Sequence, residues 1–134
     1  MSGIEKETDL GRMLVTQAET RRSSSDGVMT EKAIDAGATR EIVFGRWVID
    51  PDVALPAHVH TADTIAYCVR GSCSFRIGDD LGGEFEIGPG DYAYIPAGTV
   101  HTETTGSDGV ELVFARDRKG GETTMLEVDE LMDE

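Results

Sequence analysis

Apolar and polar residues alternate along most of the chain with the two-residue period of strands. Candidate strands fall at 28–34, 40–49, 57–61, 64–69, 72–77, 83–87, 92–95, 101–105 and 110–117. Gly- and Pro-rich turns separate them, among them Gly78-Asp79-Asp80-Leu81-Gly82-Gly83, Gly88-Pro89-Gly90, Pro96-Ala97-Gly98 and Gly106-Ser107-Asp108-Gly109. Short strands at about ten-residue spacing with such punctuation predict an all-β sandwich or barrel. Helical spacing is confined to the two ends. Leu10, Met13, Leu14 and Ala18 mark either a short helix or an arm that clasps a partner, and Met125, Val128, Leu131 and Met132 follow Thr124 as a helix N-cap. The expected organisation is an N-terminal arm or linker over 1–26 that ends in the Ser23-Ser24-Ser25 run, a β-barrel over 27–119, and an acidic C-terminal helix or tail over 120–134. The tail is expected to pack by its Met/Leu side, with a lid over the barrel mouth as the alternative.

Composition narrows the classes of function. A chain of 134 residues buries a core of its own as one domain. Its net charge of −14, from 26 acidic and 12 basic residues, repels nucleic acid and anionic membrane surfaces. Its partners are therefore expected among small molecules. Cys68 and Cys73 flank Arg70-Gly71-Ser72, read as a tight turn that sets them on adjacent strands. A disulfide is conceivable there, but small buried hydrophobes are the usual use of such residues. The first residues carry no apolar leader and no stretch approaches a membrane span, so a cytoplasmic protein is expected. Phosphate loops, G-x-S-x-G elbows and C-x-x-C pairs are absent, which leaves nucleophilic catalysis without apparatus.

The histidines change the picture. His58, His60 and His101 are the only three, and they fall in two clusters of strand and turn. His58 and His60 are one residue apart, so in a strand both imidazoles point to one face. His101 follows the Pro96-Ala97-Gly98 turn. Three neutral imidazoles are a ligand set for a divalent transition metal.

Gly90, Pro96, Gly98 and His101 fit Gly-x5-Pro-x-Gly-x2-His, which resembles the second motif of the cupin superfamily. Asp52, His58, His60 and Gly71 resemble its first motif, with Asp52 at its first Gly and Thr64 where that motif has Glu; Thr105 stands at the Asn that ends the second. The resemblance spans roughly residues 27–117. It implies a double-stranded β-helix, the jelly-roll barrel, in which His58, His60 and His101 converge on a metal, Fe(II) first and Zn, Ni or Mn as alternatives. It also implies a homodimer, with the segment from Leu10 to Ala18 as candidate cover for a sheet edge.

The missing glutamate shapes the expected chemistry. Three neutral ligands leave about two positive charges on the ion, which favours an anionic or enolisable substrate. Two carboxylates are placed to compensate. Asp63 enters the site only if its strand slips by one residue, whereas Glu103 shares the face of His101 and is the candidate acid/base or fourth ligand. Thr64 and Cys68 share a strand face and are expected to line the substrate pocket. Arg76 is expected in solvent, with an anion clamp as the alternative, and Trp47, Tyr92, Tyr94 and Phe114 read as core or interface aromatics. The expected function is a metal-dependent cupin enzyme, a three-histidine iron dioxygenase acting on a small anionic or enolisable organic molecule. The alternatives are a non-redox metal-dependent isomerase, lyase or cyclase, and a metal-holding binding or sensing module without turnover.

Overall fold

The structure, a computed structural model, describes residues 16–34, 42–117 and 123–125. A single 3-10 turn, Gln17–Glu19, precedes strands β1 (Arg21–Ser25), β2 (Val28–Ile34), β3 (Ile42–Ile49), β4 (His58–His60), β5 (Thr64–Ile77), β6 (Gly83–Ile87), β7 (Tyr92–Ile95), β8 (His101–Asp117) and β9 (Thr123–Met125). The jelly-roll barrel is built on one long antiparallel pair, β5 with β8, that belongs to both of its faces. On one face the order runs β1-β2-β3, then the second half of β8, the first half of β5, and β7. On the other, β6 pairs the second half of β5, and the first half of β8 continues to β4 and β9.

This pair differs from its sequence reading. Residues 70–72 and 106–109 were expected to be turns between separate strands, but neither reverses the chain. Both are bends inside one strand, where the register shifts between Gly71 and Cys73. The inward parity flips there, from Thr64, Ala66 and Cys68 to Cys73 and Phe75 on β5. Gly71 and Gly109 meet at the bend, both with positive φ (78° and 70°), and a Cβ on Gly71 would lie 2.0 Å from the Gly109 carbonyl oxygen. Cys68 and Cys73 therefore sit on one strand. Both are free and buried. Burial pushes the Cys73 thiol up to about 12, aided by the nearby Glu103, and also raises Cys68.

Both ends of the chain also depart from expectation. The Ser run is strand β1 and not a linker, joined to β2 through Asp26 and Gly27, which have φ of 54° and 83°. An Asp-Gly pair of that conformation matches the twist of a two-residue hairpin. Thr123–Met125, expected to open a helix with Thr124 as N-cap, instead pairs antiparallel with β4, giving that short strand a second neighbour. The rest of the tail, and Leu10 to Val15 of the expected arm, lie outside the described residues. Among the described residues no helix is long and apolar enough to cross a membrane.

The core lies between the two faces and is centred on Val110, Leu112, Phe114, Cys68, Cys73 and Phe75. Burying Leu112 or Phe114 contributes roughly 1.5–3 kcal/mol each. Outside the core, Glu31 is buried among cations: Arg22 Nε donates to it at 2.8 Å and Arg46 Nε at 3.1 Å. The Arg46 hydrogen bond is the main reason its pKa lies below 4.5, burial opposing it. A carboxylate with a lowered folded pKa stabilises fully above its unfolded value, and that stability is lost as pH falls through the folded one. Glu31→Gln should therefore lower stability at pH 7 by about 1–3 kcal/mol. The deficit should shrink on acidification below about 4.5, where the unfolded wild-type carboxyl also takes up its proton. Urea melts at both pH values check this; equal stability at pH 7 would contradict it.

Candidate metal centre

His58 and His60 occupy the two inward positions of the three-residue strand β4, and His101 opens β8 directly opposite His58. The approach to β4 is zipped onto β8: Leu55 N–H donates to the Glu103 carbonyl at 2.8 Å, and Thr105 N–H to Val53 O at 2.9 Å. Thr105 Oγ1 accepts from Val53 N–H (2.8 Å) and donates to Asp50 O (2.7 Å), so a hydroxyl holds this loop where the second cupin motif has an amide. Asp52 supplies the left-handed φ, 56°, at the position of the first motif's glycine. Gly98 N–H donates to the His60 carbonyl at 2.9 Å, so the Pro96-Ala97-Gly98 turn is fastened to the strand carrying the other two rings.

The three rings form one buried cluster. Centroid distances are 5.0, 4.1 and 5.2 Å, and one ring nitrogen of each lies within 4.8 Å of the others. His58 Nδ1 lies 2.9 Å from Pro56 O, and His101 Nδ1 lies 3.1 Å from Thr99 O. A carbonyl only accepts, so each Nδ1 carries the proton and each Nε2 keeps its lone pair for a metal. Glu103 Oε1 stands 3.4 Å from His101 Nε2 and 3.9 Å from His58 Nε2. Burial, then the proximity of the His101 ring, lowers the His58 pKa; burial, then Arg116, lowers that of His60 to about 3. Both rings are thus neutral at physiological pH, the state in which imidazole ligates. Fixed tautomers, converging lone pairs and an adjacent carboxylate together fit a divalent transition metal.

The cluster opens into a cavity of about 460 Å³ lined by His58, His60 and Glu103 and, on its apolar side, by Val28, Ile49 and Leu55. Trp47 and Phe114, stacked at 3.7 Å, also line it. Arg116 is a member of the wall that sequence reasoning missed. Its Cζ lies 5.2 Å from the centroid of each of those rings. Burial pulls its pKa down from the ordinary arginine range, and Glu103 opposes the shift. The signal was in the strand: Val110, Leu112 and Phe114 are inward, so position 116 is inward too.

The other candidates separate cleanly. Asp63 is exposed, and its carboxylate accepts the Ala97 N–H at 2.8 Å, so it holds the turn and stays out of the site. Cys68 belongs to the core cluster and is not among the residues lining the cavity, its thiol lying 3.5 Å from Arg70 O. Arg76 faces solvent, as do Tyr92 and Tyr94 at 73% and 58% exposure, which removes the two tyrosines from the core. Thr64 is buried beside the trio, where it lines a small void of about 20 Å³ with His60, His101 and Glu103. Its Oγ1 has no protein hydrogen-bond partner. A buried hydroxyl without a partner costs roughly 1–3 kcal/mol. Thr64→Val should therefore leave stability unchanged or raise it by about 1 kcal/mol in a thermal melt; a loss of that size would show the hydroxyl to be in use.

Comparisons with known proteins agree with this architecture. A family profile described as Cupin domain matches residues 45–115. No curated protein matches by sequence. Among solved structures, the polyketide cyclase RemF from Streptomyces resistomycificus is similar with a TM-score of 0.70 and 21% identity over 89% of this chain and 88% of its own. KdgF from Halomonas sp. gives 0.65 and 17% over 78% and 91%. Oxalate decarboxylase from Bacillus subtilis gives 0.69 and 21% over 83% of this chain, which spans only 31% of that longer enzyme.

Proposed function

The chain belongs to the cupin family, and from that membership we propose a metal-dependent enzyme whose centre is held by His58, His60 and His101 and whose substrate is a small anionic or enolisable organic molecule. The observation that carries this reading is the pair of Nδ1-anchored rings, His58 and His101, presenting Nε2 beside Glu103, with His58, His60 and Glu103 lining a 460 Å³ cavity. Fe(II) is the first choice of metal, with Mn, Ni and Zn as alternatives; oxalate decarboxylase, a structural neighbour, has Mn(II) centres. Such an ion supplies Lewis acidity and, when it is iron, electron transfer with dioxygen. The three rings bring no charge of their own, Glu103 takes or returns a proton at Oε1, and the Trp47–Phe114 stack keeps bulk water from that face.

Dioxygenase chemistry is the first reading, because Thr64 removes one anionic ligand and leaves charge for an anionic substrate to balance. A non-redox lyase, isomerase or cyclase is the second, favoured by Glu103, a proton carrier 3.4 Å from a ligand nitrogen. Two of the neighbours are named as a polyketide cyclase and an oxalate decarboxylase, not as dioxygenases. Anaerobic iron loading followed by O₂-uptake assays with β-dicarbonyl, 2-hydroxy and catecholic acids separates them. Substrate-dependent O₂ consumption supports the first reading. Product without O₂ consumption supports the second, and tight zinc retention without any turnover abandons both in favour of a binding or sensing module.

The protein is further proposed to act as a homodimer through the outer face of the β3-β8-β5-β7 sheet. Phe44, Ala115, Ile65 and Tyr94 form one cross-strand row, and Val113, Tyr67 and Tyr92 lie in the next. Ile65, Tyr92 and Tyr94 are more than half exposed. In a chain of charge −14, two copies associate best where few carboxylates meet: the first row carries none, and those bordering the second, Glu31 and Glu111, are paired with Arg46. Tyr94→Glu should convert the dimer to a monomer in sedimentation runs; an unchanged mass would remove this face from consideration.

A further inference from the structure

The cavity wall has the opposite charge balance to the chain. Acidic residues outnumber basic ones 26 to 12 overall, yet the wall carries Lys32 and Arg116 against the single carboxylate of Glu103. Arg116 is the deeper of the two cations by its setting. It projects inward from β8 next to the buried Phe114, its Nε is buried without a hydrogen-bond partner, and no carboxylate among the described residues pairs with it. Trp47 and Phe114 offer their π-faces at 5.2 Å, which eases the charge but accepts no conventional hydrogen bond. A guanidinium kept inside a cavity with donors to spare matches the planar, two-oxygen geometry of a carboxylate.

We propose that Arg116 is the substrate-anchoring residue of this cavity, receiving the carboxylate of an organic acid whose apolar body lies along Trp47 and whose second end, enolisable or acidic, reaches the histidines. This rests on the reading of the cavity as the active site. It specifies the substrate class: a carboxylic acid with a small apolar or aromatic body and a second, enolisable or acidic group for the metal, because Val28, Ile49 and Leu55 line the same space. Arg116 joins no chemistry. It fixes which end of the molecule faces Glu103 and the metal.

Trp47 is the only tryptophan, and Arg116 lies against it, so its fluorescence reports occupancy directly. The full chain, stripped of metal, is titrated with phenylacetate and with the uncharged phenylacetamide. Wild type should bind the carboxylate at least tenfold more tightly than the amide. R116Q should bind the two alike, and R116K, which keeps the charge but loses the fork, should fall between. Equal binding of the two probes by wild type overturns the proposal, as does a preference that survives in R116Q. Should R116Q fail to fold, the wild-type and R116K titrations decide the matter alone. Because the protein carries no metal in this experiment, a wild-type preference that R116Q abolishes, in a chain later found to bind no metal, upholds the anchor and overturns the enzyme; turnover without that preference does the reverse.

Discussion

Glu103→Gln lowers turnover by roughly 10²–10⁴-fold, the usual worth of a positioned acid or base, and leaves bound metal unchanged. The amide keeps the shape of the carboxylate and one acceptor oxygen at 3.4 Å from His101 Nε2, replaces the other oxygen by a donor, and neither accepts nor returns a proton. The side chain is only 12% exposed, so bulk water does not readily replace it. Single-turnover rates and metal analysis of the same preparation check the expectation. Turnover that survives removes Glu103 as the proton carrier. A fall in metal content alongside the rate would instead mark Glu103 as a fourth ligand, moving the anionic ligand that Thr64 lacks from β5 to β8.

His101→Ala weakens binding of a divalent transition metal by roughly a thousandfold, a ligand's share of the binding energy of such sites. His101 is 1% exposed and faces His58 across the β4–β8 pair, so no neighbouring imidazole substitutes for it. In wild type, metal should raise the melting temperature in proportion to the logarithm of its concentration, because only the folded chain assembles the site. The variant should lose this rise. Competition against a chromophoric chelator, with melting curves, reads both quantities; a variant that retained wild-type affinity would show the metal to be held elsewhere.

The barrel and the trio were legible in the sequence for a specific reason. Gly90 and Gly98 hold φ of 91° and 79°, conformations that only glycine adopts easily, so their spacing with Pro96 and His101 encodes backbone geometry directly. His58 and His60 follow from strand parity alone. Arg116 obeyed the same parity but was overlooked, since a charged residue near the end of a strand ordinarily faces solvent. The bends at Gly71 and Gly109 looked like turns because both features need positive φ, and nothing local distinguishes a bent strand from a reversing one. Asp26-Gly27 was a legible hairpin signal, masked by the Ser run before it. The pairing of Thr123–Met125 with β4 is tertiary, between residues more than sixty positions apart, and helical spacing of apolar residues gives no warning of it.

Whether His58, His60 and His101 hold one metal ion together is decided by X-ray absorption at the metal edge of the iron- or zinc-loaded wild-type protein at neutral pH. The expected result is one ion per chain with nitrogen ligands at about 2.0–2.1 Å in the zinc form and the outer-shell scattering of three imidazole rings behind them. Substoichiometric metal, or a spectrum fitted without imidazole, would contradict it.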